Sequence, residues 1–497
     1  MAENLSKVMN AHNRTGITVP PGQSNGSSIP AGQVAGGERK GTNLLNFRPL
    51  AAFVRWSGFP ALFKGLVLAV LIGLAIIGWG QYTPQGVNAK LYAKTNLVNL
   101  VIWGLWWPAI IFVTFWLGRV WCIVCPLELV SARAEFLSRK MGFSQRSLPG
   151  WMVKGSLVVL LFAILQMLVP GVQLHRVPHY TSLFLWILLG SAFAVGLYFR
   201  DRAFCRGFCP VALLLSAYGR GGMIAVRPGD QKKLVYSPAS NNTPTRLSCR
   251  SLLNPARLNS SKDCLLCCDC IKADTTGSMQ LLLQPPFSKA DTRELLASWP
   301  MTLFVMIVSG FVTYELCGVW KEAESVFLWI PQRLTAAINA AEASGWIQGL
   351  WTIFVIPLLL WSVIGGLTLL TGGARSLSEA WRMLALPMAL VVASGHMAKG
   401  LEKFTSWAGF LPYALAEPSG ARTVIKINTK LLPQPTAWFD PPTLSVLAML
   451  LLAIGTILAV REGRLCNPAK TNSNIGAILL LGGFYFFLVF GWGGWWE

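Results

Sequence analysis

Long apolar runs separated by short polar intervals dominate the chain from residue 61 onward. A helix rises 1.5 Å per residue, so about 20 apolar residues cross a hydrocarbon layer of ~30 Å. Runs near that length fall at about 61–80, 97–117, 151–170, 181–199, 299–317, 347–370, 382–398, 443–461 and 475–493, which predicts nine spanning helices. The seventh is the shortest, and Pro387, Gly395 and His396 interrupt it. Residues 1–47 are rich in Gly, Ser, Pro and Asn without an apolar run, which predicts a disordered tail. No charged segment leads at once into an apolar stretch, so no signal peptide is expected. The fold class expected is an all-α polytopic membrane protein.

Composition agrees with that pattern. Of 497 residues, 53% are hydrophobic and 13% charged, a balance that excludes one soluble domain. The 21 Trp suit membrane–water interfaces, where the indole body is buried and its N–H stays wet. The net charge is +21, yet a nucleic-acid binder is not built from uncharged Leu, Val, Ile and Trp runs. Basic residues gather between helices two and three (Arg119, Arg133, Arg139, Lys140, Arg146), after helix four (Arg200, Arg202, Arg206, Arg220, Arg227, Lys232, Lys233) and after helix eight (Arg461, Arg464, Lys470). The positive-inside rule makes those loops cytoplasmic. The amino terminus is then inside and the carboxyl terminus outside, with 318–346 and 399–442 as external connections.

The 11 cysteines are clustered rather than spread as in a secreted disulfide framework. Gly118-Arg-Val-Trp-Cys122-Ile-Val-Cys125-Pro126 matches Asp201-Arg-Ala-Phe-Cys205-Arg-Gly-Phe-Cys209-Pro210, each after a spanning helix. Helices one and two thus repeat as helices three and four. Duplicated pairs usually pack about a pseudo-two-fold axis, which would bring the four thiols together. Pro126 and Pro210 can each open a helix whose free N–H groups favour thiolates. Iron–sulfur ligation fits Cys-Pro endings; zinc, a regulatory dithiol or plain buried pairs are the alternatives.

Between helices four and five, Cys264-Leu-Leu-Cys267-Cys268-Asp-Cys270 has the Cys-x2-Cys-x2-Cys spacing of a [4Fe–4S] loop. Asp274-Thr275 stands where a fourth Cys-Pro would come, so one cluster is the limit of the loop. Cys249 is the leading fourth ligand, Asp274 an oxygen alternative and Cys268 a spare thiol. A four-Cys zinc site is the competitor.

Helix, Cys-Pro motif, second Cys-Pro motif and ferredoxin-like loop together resemble the membrane-bound polyferredoxins of the NapH/NosR type, over about residues 60–300. The resemblance implies a bacterial inner-membrane protein that passes electrons between the quinone pool and a redox enzyme, commonly a periplasmic reductase, through [4Fe–4S] centres. It implies ligand roles for Cys122, Cys125, Cys205, Cys209, Cys264, Cys267 and Cys270. The chain departs from the family in the x2 spacing of Cys122 and Cys125, in lacking most of a second loop cluster's ligands, and in its short amino terminus.

Four domains follow: the tail 1–47, a duplicated unit 48–220 with both Cys-Pro motifs, an iron–sulfur loop 221–298, and helices of 299–497 that match no motif. His12 lies in the tail. His175 and His179 mark an external proton-exit or quinol site, or ordinary interfacial histidines; His396 is a lone candidate haem ligand without a facing partner. Glu315 is expected at the interface, and Cys317 and Cys466 as small fillers. The function expected is a quinol-linked electron-transfer subunit of a hetero-oligomer. Its alternatives are a metal- or thiol-handling assembly factor and a transporter.

Overall fold

The computed structural model describes residues 41–229, 249, 251–258, 261, 263–287, 294, 296–466 and 471–495. Expectations placed on residues 1–40, His12 among them, and on Lys232, Lys233 and Lys470 lie outside that set. In chain order the main helices are α1 Arg48–Arg55, α2 Ala61–Ile77, α3 Leu97–Leu117, α4 Pro126–Lys140, α5 Ser156–Gly171, α6 Pro178–Tyr198, α7 Ala212–Tyr218, α8 Asp269–Ala273, α9 Trp299–Cys317, α10 Lys321–Ala337, α11 Ala341–Leu370, α12 Leu377–Trp407, α13 Ala421–Asn428, α14 Pro441–Cys466 and α15 Thr471–Phe490.

Seven of these, α3, α6, α9, α11, α12, α14 and α15, are long and apolar enough to cross a membrane. The other two expected spans, α2 and α5, are apolar but hold only 17 and 16 residues. At 1.5 Å per residue they reach about 24–26 Å. Their most exposed large residues are apolar: Leu62, Leu66 and Val70 on α2, Leu160 and Ile164 on α5.

The helix expected to be short and broken is the longest, with α12 running 31 residues. Ser376 caps it by accepting from the Glu379 N–H at 3.2 Å, while Glu379 accepts from the Arg375 N–H at 2.9 Å. Pro387 sits inside the helix, which packs against α9, α14 and α3 with Leu384–Ala398 almost wholly buried. Tertiary packing overrides the local propensity that argued for a break.

The chain is not purely helical. Strands β1 Thr42–Asn43, β2 Ile224–Pro228 and β3 Met279–Leu283 form one antiparallel sheet in the order β1-β3-β2, with Ile224 opposite Leu283 and Pro228 opposite Met279. β2 precedes the cysteine loop and β3 follows it, so the sheet ties both ends of the loop together. Pairing of Thr42 with Leu283 also gives the last residues of the expected tail a fixed place. The connection 318–346 carries α10, whose Val326, Ile330 and Leu334 recur every fourth residue as an exposed apolar stripe.

Candidate functional site

The two Cys-Pro segments repeat in backbone as well as in sequence. Each leaves its spanning helix through residues with positive φ, Gly118 (77°) in the first and Asp201 (63°) with Arg202 (52°) in the second. Each then makes a short helical turn, Trp121–Val124 or Phe204–Phe208, that holds the first cysteine. The second cysteine is extended in both, Cys125 at φ −63°, ψ 121° and Cys209 at φ −66°, ψ 114°. Proline requires this, because its ring excludes the helical conformation from the residue before it. Pro126 then opens α4.

Two arginines at matching positions tie the repeats together. Arg119 Nη2 donates to the Ala212 carbonyl at the start of α7 at 3.3 Å. Arg202 Nε pairs with Glu128 Oε1 in the first turn of α4 at 2.9 Å. Each repeat thus reaches into the helix that follows the other repeat's cysteines. Lys64 of α2 also pairs with Glu128, so one carboxylate serves two buried cations.

Cys122, Cys125, Cys205 and Cys209 all line one cavity of about 170 Å³. Leu71 and Leu74 of α2, Trp103 and Trp107 of α3, and Phe184 of α6 make much of the rest of its wall, which is apolar. Backbone N–H groups at the helix starts are aimed at the sulfurs: Cys125 accepts from Leu127 and Glu128, and Cys209 from Val211. The cysteine loop repeats the pattern, with Leu266 N–H on Cys264 and Asp269 N–H on Cys267. Positive φ at Leu266 (52°) and Cys268 (60°) bends this loop.

The loop thiols interact as a set: Cys264 and Cys270 each feel Cys267 and Cys249. Cys268 is 2% exposed, feels Cys264 and Cys267 as well, and donates to the Leu266 carbonyl at 3.3 Å. Asp274 is occupied by the turn after α8, accepting from the Thr276 hydroxyl at 2.7 Å and the Thr276 N–H at 2.9 Å. Arg202 joins the two thiol sets, because it also binds Asp269 Oδ2 at 3.2 Å and the Cys267 side chain. Among the described residues, no three His, Cys, Asp or Glu form a group that could hold a metal ion. The motif thiols surround a space rather than a point.

Burial pushes the thiols of Cys122 and Cys209 up to about 12 and that of Cys264 up to about 11. Cys125, Cys205, Cys267 and Cys270 are raised for the same first reason. A rise from 9 to about 12 removes about 10³ of the thiolate, and higher intrinsic nucleophilicity returns roughly 20-fold. In metal-free protein at pH 8, iodoacetamide will therefore modify Cys122 and Cys209 roughly 50-fold more slowly than free cysteine, and the other motif and loop thiols will also lag behind free cysteine. Peptide mass spectrometry over time would check this, and alkylation at the free-thiol rate would mean that the pocket is open to water.

The other expected site residues lie apart from the thiols. His179 Nδ1 accepts from the Gly80 N–H at 3.0 Å and packs on Trp79 and Tyr82, a structural use. His175 Nε2 accepts from Arg176 Nε at 3.1 Å, which leaves its Nδ1 proton for the Val169 carbonyl at 3.2 Å. Burial, with Lys403 and Arg176 nearby, holds His175 well below the usual imidazole range. His396 is ringed by Trp107, Phe311 and Tyr218. Glu315, expected at the interface, lines internal cavities, and Cys317 is buried. Lys64, Glu128, the bridging role of Arg202, and Tyr218 were not singled out from sequence; the shared register of Arg119 and Arg202 in the repeat is the signal that marks the arginine.

No protein-family model matches the chain, and neither a curated relative nor a solved structure of similar fold was found.

Proposed function

We propose that the protein is a membrane-bound iron–sulfur electron-transfer protein working between membrane quinol and a redox partner. The observation that carries this is the convergence of both Cys-Pro motifs on one apolar cavity, with backbone N–H groups directed at the sulfurs. Four cysteines, N–H donors to sulfur and flanking Arg and Lys charges suit a thiolate-bound [4Fe–4S] group, whose potential is set by hydrogen bonds to sulfur, charge and solvent access. In this reading Cys122, Cys125, Cys205 and Cys209 share one cluster, while Cys264, Cys267, Cys270 and Cys249 hold another. Such groups supply one-electron carriage when bound. The protein keeps water from them with the apolar wall, offsets their negative charge with Arg119, Arg202 and Lys64, and keeps the two thiol sets adjacent through Arg202.

The leucine- and tryptophan-lined part of the same cavity offers an apolar place for a quinol beside the motif thiols. The reading further takes α2 and α5 as spans, for nine in all, with the cysteine end cytoplasmic. Between Arg200 and Arg293 the sequence has 14 Lys+Arg against 6 Asp+Glu, the sign that the positive-inside rule assigns to that side.

Iron and acid-labile sulfide analysis of anaerobically purified protein, followed by EPR after quinol addition, tests this. Iron and sulfide for two clusters are expected, with one lost in Cys264→Ser and the other in Cys205→Ser. Protein holding zinc alone, or labile metal with no quinol-reducible signal, would replace this reading with that of a metal-handling assembly factor.

A further inference from the structure

Two more cavities lie beyond the thiol pocket. One of about 40 Å³ is lined in part by Gln166, His175, Glu315, His396, Lys399 and Lys403. The other, about 210 Å³, shares His175, Glu315, Lys399 and Lys403 with it and widens among Lys90, Lys94 and Glu324. The small cavity also shares the indoles of Trp103 and Trp107 with the thiol pocket, so it stands between the two larger spaces. Glu315 is near the end of α9 and Lys403 near the end of α12, whereas both helices begin beside each other at the cysteine end, where Arg382 Nε donates to the Ala297 carbonyl at 2.8 Å. The wide cavity is therefore at the opposite end of the bundle.

The small cavity is built for water. Gln166 is 5% exposed and its Oε1 has no hydrogen-bond partner, an orphan acceptor beside a void larger than the ~10–15 Å³ that one water occupies. His396 is 3% exposed, and its Nδ1 lies 3.3 Å from the hydroxyl of Tyr218, the last residue of the helix that follows Cys209-Pro210. Further along α12, Lys399 Nζ pairs with Glu402 Oε2 at 2.9 Å. Ionisable groups inside spanning helices are costly and mark ion or proton paths. A void of about 40 Å³ admits water and protons but not a hydrated cation.

We propose that these groups form a proton route, from the wide cavity past Glu315 and Lys399 through the Gln166–His396 void to Tyr218, one layer of indoles from the thiol pocket. Imidazole can take a proton on one nitrogen and release it from the other, which suits His396 to the narrow point. The source of the protons rests on the function proposed above. Oxidation of quinol to quinone breaks two O–H bonds and yields two electrons, which leave by the redox centre, and two protons, which this route delivers to the opposite face.

The test uses purified full-length protein in liposomes with entrapped pyranine, supplied with quinol and an electron acceptor, with quinol oxidation and lumenal pH recorded together. Lumenal acidification in step with quinol oxidation is expected, its yield per electron falling at least tenfold in His396→Phe and in Gln166→Leu. Lys403→Met, at the wide cavity, replaces either variant that does not give a monodisperse folded protein. Quinol oxidation without lumenal acidification, or a yield per electron unchanged in the folded variants, would overturn the route and leave the redox reading standing. Absence of quinol oxidation would overturn the redox reading and the route with it.

Discussion

Glu128→Gln will cost about 3–5 kcal/mol of stability, the range for breaking a buried ion pair from one side. Glu128 is 5% exposed and holds Lys64 and Arg202, which are 5% and 4% exposed. Asp269 is the second anion of the group, bound to Arg202 at 3.2 Å. Two cations and two carboxylates balance. An amide at 128 keeps the shape but leaves Lys64 without its carboxylate, in a place where water does not replace it. Lys64→Met added to Glu128→Gln should therefore recover most of the loss, because Arg202 keeps Asp269 and an apolar side chain takes the space of the ammonium stem. Thermal unfolding in detergent by circular dichroism would give the full double-mutant cycle. Wild-type stability of the single variant would mean that the network is solvated and the repeats are held by other contacts.

The long apolar helices are legible from sequence because a hydrocarbon layer imposes a length and excludes charge, and most of these helices keep an exposed apolar face. α12 shows only in part by that test, over 382–398 of its 31 residues, because it meets protein on almost every side. His396, Lys399, Glu402 and Lys403 lower its apolar signal for the same reason that they make it useful. Cysteine spacing is likewise legible, being local: x2 spacing and a following proline prescribe turn, extended residue and helix in order. What pairs with the thiols is not local. Arg202 and Glu128 are 74 positions apart, and Lys64 is 64 from Glu128, so only the folded repeat brings them together. The sheet is hidden for a similar reason, since β1 holds two residues and pairs with a strand more than 230 positions away. Asp274 shows the opposite case: a plausible ligand by position, it is taken by its own turn, a competition that Asp and Thr close in sequence often set up.

Gly222→Ala will destabilise the protein and disturb the thiol cavity together. A Cβ at 222 would stand 2.4 Å from both Cα and N of Gly118 and 2.9 Å from the Leu117 carbonyl carbon. Those are backbone atoms and cannot turn aside as a side-chain tip can. Gly118 has no freedom either, because its φ of 77° with ψ of −142° is open in practice to glycine alone. The next residue fixes the approach, with Met223 N–H donating to the Trp116 carbonyl at 2.8 Å. The methyl must therefore separate the end of α3 from the segment that leads α7 into β2. That movement would draw Arg119 from Ala212 and Cys122 from Cys209, so the expected result is a loss of about 3 kcal/mol, the upper end for overpacking, together with reduced iron content. Gly65→Ala in α2 is the matched control: nothing lies within 4 Å of its Cβ, and removing a helical glycine should stabilise by up to ~1 kcal/mol. The contrast decides between two accounts of the four-thiol cavity. If the repeats are locked by backbone contact at Gly118 and Gly222, the alanine at 222 disturbs both stability and thiol geometry. If it leaves both untouched, the thiols are held together by the Arg119 and Arg202 bonds alone.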